Sequence, residues 1–242
     1  SGRSCVGTIR SSNLKSSNVN IEYIPVDNIG VSTNWKIALR GVDCIIHCAG
    51  RAHIMKKIDV NEKKIFNSVN VDGTKQLAKQ AAALGVKRLV FLSSIKVNGE
   101  GTQNKEIFRY NNTPNPKDYY AKSKLEAEKV LRKVSNELGL EIVIVRLPLV
   151  YGFNVKGNLA RLIKLVKSGV FLPLSLIRNQ RSMIGIDNLV DLLICCADHP
   201  NAMGKTFLVS DGEDLSTPNL INHLAQSMGK RARLFPFPIF LL

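Results

Sequence analysis

The sequence predicts an α/β protein built on a parallel sheet. Short apolar runs alternate with helical patterns along most of the chain, which is the order of βαβ units. Several of those runs are nearly continuous in apolar residues, as strands covered on both faces are. Small residues, hydroxyls and glycines gather just after the runs, at the strand ends where open parallel sheets bind ligands.

Taken in order, "CVGTI" (5–9), "IEYI" (21–24), "DCIIHC" (43–48), "RLVFL" (88–92), "EIVIVRL" (141–147) and "TFLV" (206–209) read as strands. Residues 59–84, 118–138, 154–169, 187–198 and 216–228 read as helices. The clearest is "PKDYYAKSKLEAEKVLRKVSNELG", rich in Lys, Glu and Ala, with Gly139 as its C-terminal stop. After about residue 150 the regularity fades, and "FLPLSLIRNQRSM" is irregular and basic, the character of a segment that closes over a ligand. No internal repeat or low-complexity stretch is present.

A length of 242 residues suits one large α/β domain, or one with a small appendage. Apolar content of 45% and charged content of 22% are those of a soluble globular protein. The five cysteines (Cys5, Cys44, Cys48, Cys195 and Cys196) include no CxxC, and Cys44 and Cys48 would lie far apart along one strand. Neither a disulfide framework nor a structural metal is expected, and a reducing, cytoplasmic compartment fits. The net charge of +15 suggests an anionic partner, but Lys and Arg are scattered without runs, so solvated basic faces are expected and nucleic acid is not. "LFPFPIFLL" (234–242) holds two prolines and is too short to span a bilayer, so no membrane partner is expected.

The stretch "YYAKSK" (119–124) places Tyr120 and Lys124 four apart on the clearest helix, hence on one face. Tyr119 is the competing phenol, but its neighbour four residues on is Ser123, which supplies no charge. An ordinary tyrosine titrates near 10 and is a poor base at neutral pH. A nearby ammonium favours the phenolate, and the expectation is that Lys124 lowers the Tyr120 pKa in this way. The plain alternative is a half-buried helix tyrosine beside a solvated lysine. His47, inside an apolar strand, reads as a core histidine; His53, beside Arg51, is a looser candidate for substrate contact.

Set in order, "VDCIIHCAGRAH", "NVDGT" (70–74), "LVFLSSIKVNG", "YYAKSK", "VRLPLVYG", "NLARLI" (158–163) and "RSMIGIDNLVD" (181–191) resemble the extended short-chain dehydrogenase/reductase family, above all its nucleotide-sugar epimerases and ketoreductases. The resemblance implies a Rossmann-type doubly wound parallel sheet with a small C-terminal substrate-binding region. It implies an NAD(P)-binding domain over residues 1–152 and a mainly nucleotide-sugar-binding region over 153–242, with 185–210 returning to the sheet. By the same resemblance Ser94, Tyr120 and Lys124 match the catalytic residues, Ser94 also touching substrate. Ala49 and Gly50 match small residues bordering the cofactor, Asn70 the asparagine of the family's NVxGT, Asp27 and Asn28 the acidic position near the adenine, and Pro148 and Val150 the segment beside the nicotinamide. Asn158, Leu159 and Arg181 match residues that hold the nucleotide diphosphate of a sugar donor.

Two departures refine this. The family's opening strand and Gly-rich turn, roughly GxxGxxG, are not in the sequence; "SGRSCVGTIRSS" reads as the end of the first helix and then the second strand. The first strand and its turn are thus expected to lie outside these 242 residues, and the abrupt C-terminal end is read likewise. Ile95 and Lys96 stand where the family's sugar dehydratases carry an acidic pair, which argues against elimination of water. The expected activity is NAD(P)-dependent 4-epimerisation of a UDP-sugar, N-acetylated or not. A 4-ketoreductase is the alternative, and a nucleotide-binding regulatory or scaffold protein is the non-enzyme one. The cofactor is NAD or NADP, since Arg10 stands where an acidic residue would grip the ribose 2′-hydroxyl. A UDP-sugar is the expected partner, and a homodimer is an assembly the family resemblance allows.

Overall fold

The computed structural model describes residues 4–10, 21–26, 28–52, 61–103 and 106–238. The expected strands form at the expected places. They are β1 (Val6–Ile9), β2 (Glu22–Pro25), β3 (Cys44–His47), β4 (Arg88–Ser94) and β5 (Glu141–Leu147), with β8 (Thr206–Leu208) the last in sequence. β3, β4, β5 and β8 lie side by side in that order, and β1 and β2 pair in a separate parallel ribbon. The β3–β4 and β5–β8 pairings are parallel, as in a Rossmann-type sheet.

The burial expected of apolar runs holds for β4 and β5, whose residues are buried almost throughout. It does not hold for β1 and β2, where every residue is exposed or half-buried. Those two strands pair only with each other among the described residues, so neither face nor outer edge is covered to the same degree.

The helix expected over 59–84 is not uniform. It comprises α1 (Glu62–Phe66), a π-helical segment (Asn67–Asp72) and α2 (Gly73–Ala83). The extra residue per turn in a π segment rotates the helix surface, and such segments recur at functional sites. α3 (Tyr119–Leu138) starts at Asp118, whose carboxylate accepts the Ala121 N–H at 2.7 Å, and ends at Gly139 in the left-handed conformation, φ 73°. Both ends follow from sequence: Asp is a strong N-cap, and Gly takes that φ without a Cβ clash.

The chain divides into two compact units: Ser1–Arg146 with Leu193–Leu208, and Leu147–Leu192 with Val209–Leu242. The first has a core in which Leu77, Ala81, Phe91, Leu131 and Ile144 are buried together. Burying side chains of this size contributes about 1.5–3 kcal/mol each. The second contains a two-stranded ribbon that the sequence did not announce, β6 (Leu149–Tyr151) with β7 (Met183–Gly185), and the helices α4 (Gly157–Ser168) and α6 (Thr217–Ser227). The unit boundary falls within α5 (Ile186–Asp198). Among the described residues no helix is long and apolar enough to cross a membrane.

Candidate active site

The candidate site of the first unit is built on two chain segments. β4 ends at Ser94, and the chain then enters a 3-10 turn, Ile95–Val97. Ser94 caps that turn: its Oγ accepts the Lys96 N–H at 3.3 Å. Across from it, the first turn of α3 carries Tyr120, whose phenol is near enough to the Ser94 hydroxyl for that hydroxyl to favour the phenolate. The preceding serine faces the other way, as alternation along a strand requires: Ser93 Oγ donates to Glu128 Oε1 at 2.6 Å inside the core.

The electrostatics of the phenol differ from the sequence expectation. Burial pushes the Tyr120 phenol above its ordinary value; the Ser94 hydroxyl pulls it down, and the Asp118 carboxylate raises it further. Lys124 is not among the groups that act on it. The reason is where the side chain goes: the Lys124 ammonium lies 4.0 Å from the centroid of the Phe91 ring. The residue is only 5% exposed, and burial lowers its pKa to about 8. Besides the aromatic face, the Glu128 carboxylate and Cys48 act on it, partly offsetting the burial.

The loop after β3 forms the other wall. Ala49 and Gly50 are exposed there. A Cβ built on Gly50 would stand 3.3 Å from Asn70 Oδ1 and 3.9 Å from Lys124 Nζ, so the missing side chain leaves open the space between those two groups. Asn70, in the π segment, is 2% exposed and fully engaged. Its Oδ1 accepts the Arg51 N–H at 2.7 Å, and its Nδ2 donates to Arg51 O at 3.0 Å and to Ser123 Oγ at 2.9 Å. Ser123 in turn donates to the Tyr120 carbonyl at 2.7 Å. Asn70 thus pins the loop after β3 to the turn of α3 that carries Tyr120. Its amide is bonded within the chain, so the Asn70 side chain acts here as a clamp on the border of the expected cofactor site.

His47 is the core histidine expected: it is 4% exposed, bonds Thr74 Oγ1 at 3.0 Å and is held to a pKa of about 3, chiefly by burial, so it is neutral at physiological pH. Among the described residues no group of His, Cys, Asp or Glu could hold a metal ion.

The remaining expected contacts are more dispersed. Asn28 is exposed in the loop after β2, its carbonyl accepting Thr33 Oγ1 at 2.9 Å. Asp27 and His53 lie outside the described residues. Pro148, Val150, Asn158, Leu159 and Arg181 belong to the second unit. Asn158 is exposed, whereas the Leu159 side chain is buried with Met183 and Leu220 and has only its backbone to offer a ligand. Val150 lies in β6 opposite Ile184, and Pro148 just before it is half-buried. Arg181 pairs through its backbone with Leu215, at 3.0 Å in both directions, and its guanidinium is exposed without a partner among the described residues.

Sequence reasoning missed two groups at this site. Lys96 was read only as the absence of an acid, yet its Nζ meets Asp118 Oδ2 at 2.6 Å. Ser123 was seen only as an uncharged neighbour of Tyr119. The Asp-Tyr-Tyr start of α3 is a capping signal, and it could have placed Asp118 beside the reacting end of the helix.

A family model described as "NAD dependent epimerase/dehydratase family" matches residues 4–210. A Vibrio cholerae protein named UDP-glucose 4-epimerase is 44% identical over 216 residues, 89% of this chain and 66% of its own. An Escherichia coli O157:H7 protein named N-acetyl-alpha-D-glucosaminyl-diphospho-ditrans,octacis-undecaprenol 4-epimerase is 28% identical over 209 residues, 85% of this chain and 61% of its own. The chain therefore spans just under two thirds of the length of these relatives. The crystal structure of UDP-N-acetylglucosamine 4-epimerase from Bacillus cereus superposes with a TM-score of 0.80 at 20% identity, over 96% of this chain and 75% of that one, which establishes a shared fold.

Proposed function

This chain belongs to the NAD dependent epimerase/dehydratase family, and on that premise we propose that it carries the proton-transfer site of an NAD(P)-dependent enzyme that inverts C4 of a UDP-linked sugar. The observation that carries the reading is the Tyr120 phenol set beside the Ser94 hydroxyl, with the largely buried Lys124 stacked on Phe91 one helical turn away. The names of the two relatives support the reaction, since both describe 4-epimerisation of a sugar carried on a diphosphate.

The residues fit a nicotinamide dinucleotide. The Lys124 ammonium, which donates no hydrogen bond to the described residues, is suited to a ribose hydroxyl, and Gly50 leaves room beside it. When bound, the nicotinamide supplies the hydride acceptor and donor. Tyr120 takes the proton from the sugar hydroxyl and later returns one. Ser94 orients that hydroxyl, so that the proton acceptor meets it at a fixed place. Lys124 and Ala49–Gly50 bind and border the cofactor, and Asn70 holds that border. The first unit serves the cofactor, the second mainly the nucleotide sugar, with Arg181 donating charge-assisted hydrogen bonds to its diphosphate.

The test uses the full-length protein, purified without added cofactor and given UDP-glucose or UDP-N-acetylglucosamine. Interconversion of 4-epimers with no net change in reduced-nicotinamide absorbance is expected. Tyr120→Phe is expected to lose at least ~10²-fold in turnover. Stoichiometric NADPH or NADH consumption on a 4-keto sugar nucleotide, without interconversion, would make the protein a reductase; bound nucleotide without turnover would make it a regulatory one.

A further inference from the structure

Lys96 touches both halves of the proton-transfer site. Its backbone N–H caps onto Ser94 Oγ at 3.3 Å, and its ammonium meets Asp118 Oδ2 at 2.6 Å. The other oxygen of Asp118 accepts the Ala121 N–H at 2.7 Å, which fixes the start of the helix that bears Tyr120. One residue therefore ties the strand end that presents the serine to the helix end that presents the phenol. Nothing in the proton-transfer chemistry itself requires a lysine here.

The ion pair also has an electrical consequence. Among the described residues Asp118 is the charged group that acts on the Tyr120 phenol, and it disfavours the phenolate. Among the described residues, the other neighbours of the phenol carry no charge: Ser94 from β4 is a hydroxyl, and Phe66 from α1 presents a ring at 6.2 Å. On α3 itself, Lys124 is drawn over Phe91, and Lys122 acts on Asp118 from a position over the Tyr119 ring, 5.9 Å from its centroid. From the turn after β4 comes Lys96, the cation in contact with the carboxylate.

We propose that Lys96 is a positioning residue for proton transfer, holding Ser94 and Tyr120 in register and masking the Asp118 carboxylate from the phenol. This rests on the reading of Tyr120 as the proton-transfer group. It predicts opposite effects from removing the two partners of one ion pair. Without Lys96 the carboxylate is opposed by Lys122 alone, and the phenolate forms at higher pH. Without the Asp118 charge the phenolate forms at lower pH. Asp118→Asn is suited to the comparison because Asn is also a good N-cap.

The experiment measures two quantities in the full-length protein and in Lys96→Met, Lys96→Arg, Asp118→Asn and the Lys96→Met/Asp118→Asn double variant. One is turnover against pH at saturating substrate. The other is the titration of ring-labelled Tyr120 followed by NMR, its resonance identified by its loss in Tyr120→Phe. Lys96→Met is expected to shift the acid limb and the phenol titration to higher pH, lowering turnover on that limb roughly two- to fivefold, the size an exposed ion pair supports. The loss should shrink at 1 M salt. Asp118→Asn is expected to shift both to lower pH, the double variant to follow it, and Lys96→Arg to match the parent. A phenol titration that stays put in both single variants overturns the proposal, as does movement in the same direction. Because the titration needs no turnover, a protein that fails to epimerise refutes the proposed function while leaving Lys96 fully tested.

Discussion

The Arg146 guanidinium grips the Glu128 carboxylate at both oxygens, Nε to Oε1 at 3.0 Å and Nη2 to Oε2 at 2.7 Å, with the two residues 3% and 1% exposed. The third nitrogen reaches Asn98 Oδ1 at 2.9 Å, and Ser93 Oγ donates to Glu128 Oε1. One network thus joins β5, the middle of α3 and the strand end next to Ser94. Its members are well satisfied, which is the condition under which a buried ion pair is tolerable.

Removing one partner of that pair should therefore be far worse than removing both. Arg146→Met leaves a buried carboxylate with Ser93, a distant Arg132 at 3.8 Å and the Lys124 charge, none of which grips it as Arg146 does. The expected loss is about 3–5 kcal/mol. Arg146→Met with Glu128→Leu exchanges the pair for apolar volume and should recover most of it. Urea unfolding of the single and double variants measures the difference; a double variant as unstable as the single would show that the network matters through its shape and not through its charge.

Lys124 is expected to cost stability where it serves function. Its folded pKa of about 8 lies below the 10.5 of an exposed lysine. Between those values the unfolded chain binds more protons than the folded one, so stability rises with pH across that window and the penalty is fully present below it. At one pKa unit per 1.36 kcal/mol the penalty is at most about 3 kcal/mol, and the Phe91 contact is lost with the charge. Lys124→Met should then raise the melting temperature at pH 7 while abolishing turnover, and the gain should fade as pH approaches 10.5. A variant that melts lower than the parent at pH 7 contradicts this.

How much of this was legible in the sequence depended on whether the signal was local. β5 was read at its observed bounds because a nearly unbroken apolar run, five of its seven residues buried, has no other good explanation, and α3 because its composition and Gly139 agree. The π segment was invisible: a single extra residue inside 22 helical ones scarcely changes the apolar period, yet it is what turns Asn70 toward Arg51 and Ser123. Spacing placed Lys124 one turn from Tyr120 but could not say which way a four-carbon side chain would go, and the Phe91 ring decided that. β6 and β7 are three residues each, too short for alternation to show.

Gly73 gives the sharpest conflict between local preference and packing. It sits at the start of α2 with ordinary helical angles, φ −62° and ψ −41°. On propensity alone Gly73→Ala should stabilise the helix by about 1 kcal/mol. A Cβ there, however, would stand 2.3 Å from Ile29 Cγ2 and 3.3 Å from the Gly30 nitrogen. Ile29 belongs to the loop that carries Asn28, and Gln80 of α2 holds the same loop through Trp35 N and Thr33 O, both at 2.8 Å. The loop cannot retreat without straining those bonds, and overpacking of this kind typically costs 1–3 kcal/mol. The clash should win. Gly73→Ala is expected to lower the melting temperature and, by displacing Asn28, to raise the cofactor Kd more than it lowers kcat. Ile29→Ala removes the offending methyl, so the double variant should be more stable than the sum of the two single changes requires. Thermal melts and cofactor titrations on the four proteins of that cycle decide it: strict additivity would mean that Ile29 and Gly73 do not meet.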